Sequence, residues 1–158
     1  MNEVRFLPSP FHWLTLHLMT NKKDIRWLQI FSNYEKAFKK LNEYLGYENP
    51  NELERQGIIQ SFEYTFELSW KVLQDLLKDK GLQNSVGPKA VFQQSSRNGY
   101  LKNGELWMAM LESRNLSAHT YDEQTANKIV AQVRIDFRAA FQNLQENLIK
   151  EKEENYSE

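Results

Sequence analysis

The residues of this sequence with the clearest chemical potential lie in the octapeptide RNLSAHTY, from Arg114 to Tyr121. An arginine side chain stays protonated in proteins and can donate two parallel hydrogen bonds to a phosphate. His119 can give or take a proton near neutral pH, because the ordinary pKa of histidine is about 6.5. Arg114 and His119 are therefore the minimum for metal-independent RNA cleavage, in which arginine neutralises charge on phosphorus and histidine handles the 2′-hydroxyl proton. Since each chain carries one copy, a symmetric dimer would place two copies across a shared cleft.

Structural interpretations of the same residues stay open. If the helix that begins near Asn103 is regular, Arg114 lies in the middle of its apolar stripe and must find a carboxylate or face a polar cleft. If that helix ends sooner, the Arg114 side chain reaches water. A histidine near a helix end is commonly exposed or structural. Thr120, with Glu123 three residues later, matches a capping box for the next helix.

Two acidic residues, Glu63 and Glu67, are candidates for holding Arg114. They lie one helical turn apart in the segment GIIQSFEYTFELSWKVLQDLLKDKG. They could act as paired acids, or they could contact Arg114 across the bundle and compensate its positive charge. The structural alternative pairs Glu67 with Lys71 on the same helix.

Apolar residues at alternating three- and four-residue steps predict helices along most of the chain. The first helix is predicted to run from Asp24 to Gly46, and the second from a cap at Asn51, with Glu54 as its partner, to Lys80-Gly81. Three aromatic residues of the second helix have the spacing of a buried stripe, which favours a place in the core over stacking on bases: Phe62, Phe66 and Trp70.

Three further helices follow. Pro88 suits the first turn of a short third helix that Asn98-Gly99 ends, and Asn103 is predicted to cap a fourth helix, GELWMAMLESRNLSAH. The fifth helix repeats the apolar stripe through Ala126, Val130, Val133, Phe137, Ala140, Leu144 and Leu148. No segment alternates with period two for long enough to predict a strand.

The expected fold class is all-α, an up-and-down antiparallel helical bundle of four long helices plus a short one. Residues 23–150 are predicted to form a single domain. Residues 1–22 are predicted to be an N-terminal extension whose order the sequence leaves open. The tail EKEENYSE, residues 151–158, has little to bury and is predicted to fray.

Composition narrows the function classes. The chain has 158 residues and a formal net charge of −1, which argues against a protein that coats nucleic acid. It has no cysteine, which excludes disulfides and thiolate metal sites and favours the cytoplasm. No apolar window reaches the roughly 20 residues that a membrane span needs, and the N-terminal stretch does not match a signal peptide. We therefore expect no membrane partner.

Other catalytic signatures are missing from the sequence. It contains no glycine-rich phosphate loop and no Asp-x-Asp pair of the kind that holds magnesium in nucleotidyltransferases, so the chain is not itself expected to be one. His12 and His17 are five residues apart and do not make a convincing metal site. We expect no intrinsic metal or cofactor.

The spacing of Arg114, His119 and Tyr121 resembles the arginine, four residues, histidine, one residue, tyrosine motif of HEPN-domain proteins of the HepT-like kind. Over residues 23–148 the chain is similar to the nucleotidyltransferase substrate-binding protein branch of that superfamily. The similarity includes RWLQIFSNYEKAFKKL, FEYTFELSWK and ELWMAMLESRNLSAHTYDEQTA in the right order.

The resemblance implies a helical bundle, usually a homodimer, that forms a complex with a cognate minimal nucleotidyltransferase in a toxin-antitoxin-like pair. By matching position it implies that Arg114 binds phosphate, that His119 is the general acid or base and that Asn115 supports them. It also implies that Tyr121 accepts AMP, with ATP and magnesium supplied through the partner enzyme.

Two functions of different classes therefore remain. The chain is either an accessory subunit that presents a nucleotide or its own Tyr121 to the nucleotidyltransferase, or a dimeric, metal-independent ribonuclease that uses Arg114 and His119 on RNA.

Overall fold

The computed structural model describes residues 25–82 and 85–157. Within these ranges every regular element is helical, which confirms the all-α prediction. The proposed 1–22 extension, including His12 and His17, lies outside the described residues. None of the helices in the described ranges combines the length and the apolar character that crossing a bilayer requires.

Helices α1 (Arg26–Tyr44) and α2 (Glu52–Asp79) are the largest packed pair of the bundle. Their short connection ends in the predicted capping box. The Asn51 side chain accepts a hydrogen bond from the Glu54 backbone N–H at 2.9 Å, and the Glu54 carboxylate accepts one from the Asn51 N–H at 2.7 Å. Two backbone donors at the start of α2 are thereby satisfied.

Helix α3 (Pro88–Arg97) starts at the proline and ends before Asn98-Gly99, as predicted. Helix α4 (Gly104–Leu116) is capped by Asn103, whose side chain accepts a hydrogen bond from the Leu106 N–H at 3.2 Å. It ends three residues earlier than predicted and continues as a 3₁₀ turn, Ser117–His119.

The last helix is continuous through three parts: α5 (Glu123–Gln132), a π-helical turn (Val133–Phe137) and α6 (Arg138–Tyr156). Arg134 in the π turn donates hydrogen bonds to the carbonyl oxygens of Leu45, at 2.5 Å, and Tyr47, which ties this helix to the end of α1. The apolar stripe predicted from the sequence is buried along its whole length: Ala126, Val130, Val133, Phe137, Ala140, Leu144 and Leu148.

Aromatic side chains fill the core between α1, α2 and α6. Phe62 and Phe66 are fully buried, as predicted, whereas Trp70 is only half-buried. Tyr34 is fully buried as well, and its hydroxyl donates a hydrogen bond to the Phe141 carbonyl at 2.8 Å. Burial raises the pKa of Tyr34 well above its ordinary value because the phenolate would lose hydration. With α5 and α6 counted as one helix, the described part of the chain forms the expected five-helix bundle.

The prediction that the tail frays is wrong for residues 151–156, because α6 continues to Tyr156. The Tyr156 ring packs edge-on against Trp27 at a centroid distance of 5.2 Å, and its hydroxyl donates a hydrogen bond to Asp79. Glu151 forms an ion pair with Lys80. This end of α6 therefore finds partners on both α1 and the end of α2.

Candidate functional site

The segment from Arg114 to Tyr121 leaves the helical path at a serine. The Ser117 hydroxyl donates a hydrogen bond of 2.6 Å to the Arg114 carbonyl oxygen, three residues back. Serine side chains that bond nearby backbone groups compete with regular helix geometry. The chain accordingly tightens into the 3₁₀ turn, so Tyr121 does not continue the apolar stripe of α4 as a longer helix would require.

Arg114 faces the two predicted carboxylates of α2. Its Nη1 lies 3.1 Å from Glu63 Oε2, and its Nε lies 3.8 Å from Glu67 Oε1. Nη1 also donates a 3.3 Å hydrogen bond to Ser117 Oγ. About a third of the Arg114 side chain remains exposed (31%). The sequence left open whether Arg114 contacts a carboxylate or reaches water. In the structure the charge of Arg114 is compensated by carboxylates of another helix of the bundle.

Glu67 is itself held in place. The indole N–H of Trp70 donates a hydrogen bond of 3.1 Å to Glu67 Oε2. The alternative Glu67–Lys71 pair is not among the ion pairs of residues 25–82; Lys71 Nζ lies 5.8 Å from the centroid of the Trp70 ring. Two carboxylates around one guanidinium leave a net negative charge, so an anion approaching Arg114 must compete with Glu63 and Glu67.

His119 and Tyr121 lie at the surface of the turn. Their ring centroids are 6.2 Å apart in an edge-to-face arrangement, and Tyr121 is 88% exposed. In the described part of the chain no hydrogen bond reaches the Tyr121 hydroxyl, and none joins His119 to Arg114. Asn115 is exposed and its side chain makes no hydrogen bond within the same residues. The motif is thus divided into an engaged arginine and an exposed histidine–tyrosine pair.

A second contact with α2 holds the turn just before Tyr121. Gln56 Nε2 donates to the Thr120 carbonyl at 3.2 Å, and the Thr120 hydroxyl donates to Gln56 Oε1, also at 3.2 Å. Gln56 therefore bonds both to the backbone and to the side chain of Thr120. Together with Arg114, this pair attaches both ends of the motif segment to one helix.

The predicted capping box at Thr120 and Glu123 is wrong, because the N-cap of α5 is Asp122. The Asp122 carboxylate accepts hydrogen bonds from the Thr125 hydroxyl at 2.6 Å and the Thr125 N–H at 3.0 Å. These bonds, the one from the hydroxyl first, lower the pKa of Asp122 because they favour the charged carboxylate. Aspartate is a stronger N-cap than threonine, and Thr120 is left free to bond Gln56.

A small polar cavity of about 240 Å³ borders Tyr121. Its walls come from the first two turns of α2, the Thr120–Tyr121 turn and the start of α5: Glu52, Arg55, Gln56, Thr120, Tyr121, Glu123 and Ala126. Arg55 Nη2 lies 3.4 Å from Glu123 Oε1, and the Arg55 side chain is 18% exposed. The cavity thus combines the exposed tyrosine with a mostly buried arginine.

No group of three or more histidine, aspartate or glutamate side chains in residues 25–82 and 85–157 is arranged to hold a metal ion. The charged side chains around Arg114 and Tyr121 instead form pairs, as described above.

Sequence reasoning missed Arg55, Gln56 and the hydrogen-bonding role of Trp70. A signal for Gln56 and Trp70 existed, since they lie seven residues before Glu63 and seven after it, which is close to two full helical turns. The face of α2 that carries Glu63 therefore also carries both of these residues.

Comparisons with known proteins agree with this fold. The sequence model of the family described as "Nucleotidyltransferase substrate binding protein like" matches residues 29–150. A crystal structure of a protein from Thermus thermophilus is 33% identical, with a TM-score of 0.64, over 75% of this chain and 97% of that one.

Two proteins of Haemophilus influenzae are also similar. A solved structure, described as revealing the fold of a substrate binding domain of a nucleotidyltransferase, has a TM-score of 0.60 at 24% identity and covers 80% of this chain and 99% of that chain. That likeness shows a shared fold. A protein named "Probable ribonuclease HepT" is 31% identical over 81 residues, which are 49% of this chain. The match spans only 56% of the length of that relative.

Proposed function

Because this chain belongs to the nucleotidyltransferase substrate binding protein like family, we propose that it is the accessory partner of a separate minimal nucleotidyltransferase and that Tyr121 is its adenylyl acceptor. The observation that carries the proposal is the presentation of Tyr121. Its side chain is 88% exposed, while the residue before it is bonded to Gln56 of α2. An acceptor for a second protein must be accessible and must also be held in a defined place.

The chemistry is a single adenylyl transfer. The Tyr121 oxygen attacks the α-phosphorus of ATP, which is bound with magnesium on the partner enzyme. The bond between that phosphorus and the bridging oxygen to the β-phosphorus breaks, and pyrophosphate leaves. The phenolic proton passes to a base, a role we assign to His119, whose ring centroid lies 6.2 Å from that of Tyr121. The product is a tyrosyl phosphodiester of AMP.

The engagement of Arg114 supports an accessory role over a nuclease role. The guanidinium contacts Glu63 at 3.1 Å and Glu67 at 3.8 Å, and carboxylates in those places oppose the binding of an RNA phosphate. In this proposal Arg114 fixes the end of α4 against α2. Asn115, which is exposed, is available to the partner protein.

The test is reconstitution with a cognate minimal nucleotidyltransferase, ATP and magnesium. We expect the two proteins to co-elute in gel filtration and the intact mass of the wild-type chain to rise by one or more AMP units. The Tyr121→Phe variant should co-elute and keep its mass. An unmodified wild-type chain, or a Tyr121→Phe variant that gains AMP, refutes the acceptor role.

A second candidate function, a metal-independent ribonuclease, is favoured by the relative named "Probable ribonuclease HepT". It requires Arg114 to leave Glu63 and Glu67, and it requires a homodimer that places Arg114 and His119 of two chains at one cleft. In such a two-component system the nucleotidyltransferase would silence the nuclease by modifying Tyr121.

RNA digestion in EDTA separates the two functions. If the chain is a ribonuclease, the wild-type protein degrades RNA and His119→Ala does not. Equal behaviour of the two proteins, with Tyr121 still adenylylated, leaves the accessory role alone.

A further inference from the structure

Arg55 is a mostly buried arginine whose hydrogen-bonding groups are incompletely satisfied within the described residues. Its side chain is 18% exposed, yet its two hydrogen bonds are long: 3.3 Å from Nη1 to the Pro50 carbonyl and 3.4 Å from Nη2 to Glu123 Oε1. Its Nε is buried and has no hydrogen-bond partner among residues 25–82 and 85–157. Charge-assisted hydrogen bonds of guanidinium groups are ordinarily about 2.7–2.9 Å long.

Arg55 lies close to the proposed acceptor residue. It lines the same cavity of about 240 Å³ as Tyr121. We infer that Arg55 binds the phosphate of the adenylyl group once that group is attached to Tyr121. The inference rests on the proposed function in that Tyr121 must be the acceptor; it adds a phosphate-binding residue from outside the Arg114–Tyr121 motif.

The charges around the cavity are compatible with this exchange. The only carboxylate paired with Arg55 in the described residues belongs to Glu123, which is 74% exposed and can turn into solvent at little cost. The phosphodiester carries one negative charge and two free oxygens, which match the two-pronged guanidinium better than a single carboxylate oxygen at 3.4 Å. Glu52, also on the cavity wall, is exposed.

The size of the cavity limits what it recognises. Pockets that enclose a drug-sized ligand are about 300–1,000 Å³, whereas this cavity is about 240 Å³. Arg55 acts on the phosphate that any nucleoside monophosphate adduct shares.

The test compares four chains, wild type, Arg55→Gln, Arg55→Lys and Arg138→Gln, each modified by the cognate minimal nucleotidyltransferase with ATP and magnesium. Arg138 is an exposed arginine of α6 and controls for the loss of one positive charge. The modified chains are purified and treated with a non-specific phosphodiesterase, and the release of AMP from Tyr121 is followed by intact mass.

We expect AMP to leave Arg55→Gln about tenfold faster than wild type, because one charge-assisted contact to the phosphate is lost. Arg138→Gln should match wild type. Arg55→Lys keeps the positive charge but loses the two-pronged hydrogen bonding of the guanidinium, so its rate of AMP release should lie between those of wild type and Arg55→Gln. If Arg55→Gln does not fold, the comparison of Arg55→Lys with wild type tests the inference.

Equal release from wild type and both Arg55 variants overturns the inference and leaves Tyr121 as the acceptor. A wild-type chain without AMP on Tyr121 overturns the inference together with the proposed function.

Discussion

Glu63 and Glu67 hold Arg114 while about a third of the arginine side chain stays exposed to solvent. At such exposure an ion pair contributes little to the free energy of unfolding, typically about 1 kcal/mol or less. The arrangement therefore matters more for where the guanidinium lies than for stability. It keeps the Arg114 side chain against α2, while Tyr121 stays 88% exposed.

A double-mutant cycle measures this restraint. We expect Glu63→Gln and Arg114→Gln each to lower the free energy of unfolding, with a coupling of about 0.5–1 kcal/mol between them in urea denaturation at low salt. Raising the salt concentration should shrink the coupling because ions screen partly exposed charges. Glu112→Gln, an exposed change on α4, is the control for charge alone. Additive effects of the two substitutions would show that the pair contributes nothing.

At the scale of elements, one face of α2 positions the whole motif. Gln56, Glu63, Glu67 and Trp70 lie on that face and contact the motif segment or one another. The segment is thereby attached at Arg114 and at Thr120. Between these two contacts the chain changes from α-helix to 3₁₀ turn, and immediately after them α5 begins at its Asp122 cap.

Because Gln56 holds Thr120, we expect substitution of Gln56 to increase the mobility of the turn around Thr120. Gln56→Ala removes both of its hydrogen bonds to Thr120, so amide hydrogen exchange in residues 117–122 should accelerate while the core of α2 stays protected. Adenylylation of Tyr121 should slow as the turn loses its defined position. Gln60→Ala, one turn along α2 and exposed, is the matched control. Unchanged exchange in Gln56→Ala would mean that the turn is held by other contacts.

The cap of α5 predicts a pH dependence. Because the Thr125 bonds lower the pKa of Asp122 below its usual value of 3.8, the stabilisation by this cap is complete above that value. It is lost as pH falls through the lower pKa of the folded state. The chemical shift of the Thr125 amide should report this titration. Asp122→Asn can still cap the helix and should abolish the pH dependence; a Thr125 shift that does not change in acid would exclude the cap.

The caps show where sequence patterns were sufficient. Asn51, Pro88 and Asn103 each act through residues within three positions, and all three predictions were confirmed. The spacing of Thr120 and Glu123 predicted the wrong cap, although Asp122 is the stronger cap by residue type. Thr120 bonds Gln56 instead, 64 residues away in the chain. Local spacing does not contain that distant contact.

At the scale of the molecule, the end of α6 closes the bundle over the start of α1. Tyr156 packs on Trp27 and bonds Asp79, and Glu151 pairs with Lys80. Burial, followed by the bond to Asp79, raises the pKa of Tyr156, and the bond to Glu151 raises that of Lys80. Their contributions are therefore present below the unfolded-state pKa values and are lost as pH rises through the folded-state ones.

Substitutions at Tyr156 should separate packing from hydrogen bonding. Tyr156→Ala loses both contacts and should destabilise the fold by about 1–2 kcal/mol, which lowers the melting temperature by about 2–8 °C. Tyr156→Phe keeps the edge-on contact with Trp27 and should lose about 1 kcal/mol or less. Lys152→Ala, an exposed change in the same segment, is the control. Equal melting of all three variants and wild type would mean that the tail frays in solution.

The sequence did contain a sign of this closure. Tyr156 lies eight residues after the buried Leu148, which continues the stripe of α6 by just over two turns. The charged residues between Leu148 and Tyr156 made this continuation of the stripe hard to recognise. The partners of Glu151 and Tyr156 lie at the end of α2 and on α1, far away in the chain. Charge composition alone therefore predicted fraying where tertiary contacts produce order.

The acceptor role of Tyr121 is tested by locating AMP among the exposed tyrosines after reaction with the cognate minimal nucleotidyltransferase, ATP and magnesium. Tyr47 and Tyr64 are 54% and 57% exposed and serve as internal controls for Tyr121. Peptide sequencing by tandem mass spectrometry should find AMP on Tyr121 and none on the other two, since only Tyr121 lies on the turn that α2 holds. AMP spread over all three tyrosines, or absent from Tyr121, would contradict the account.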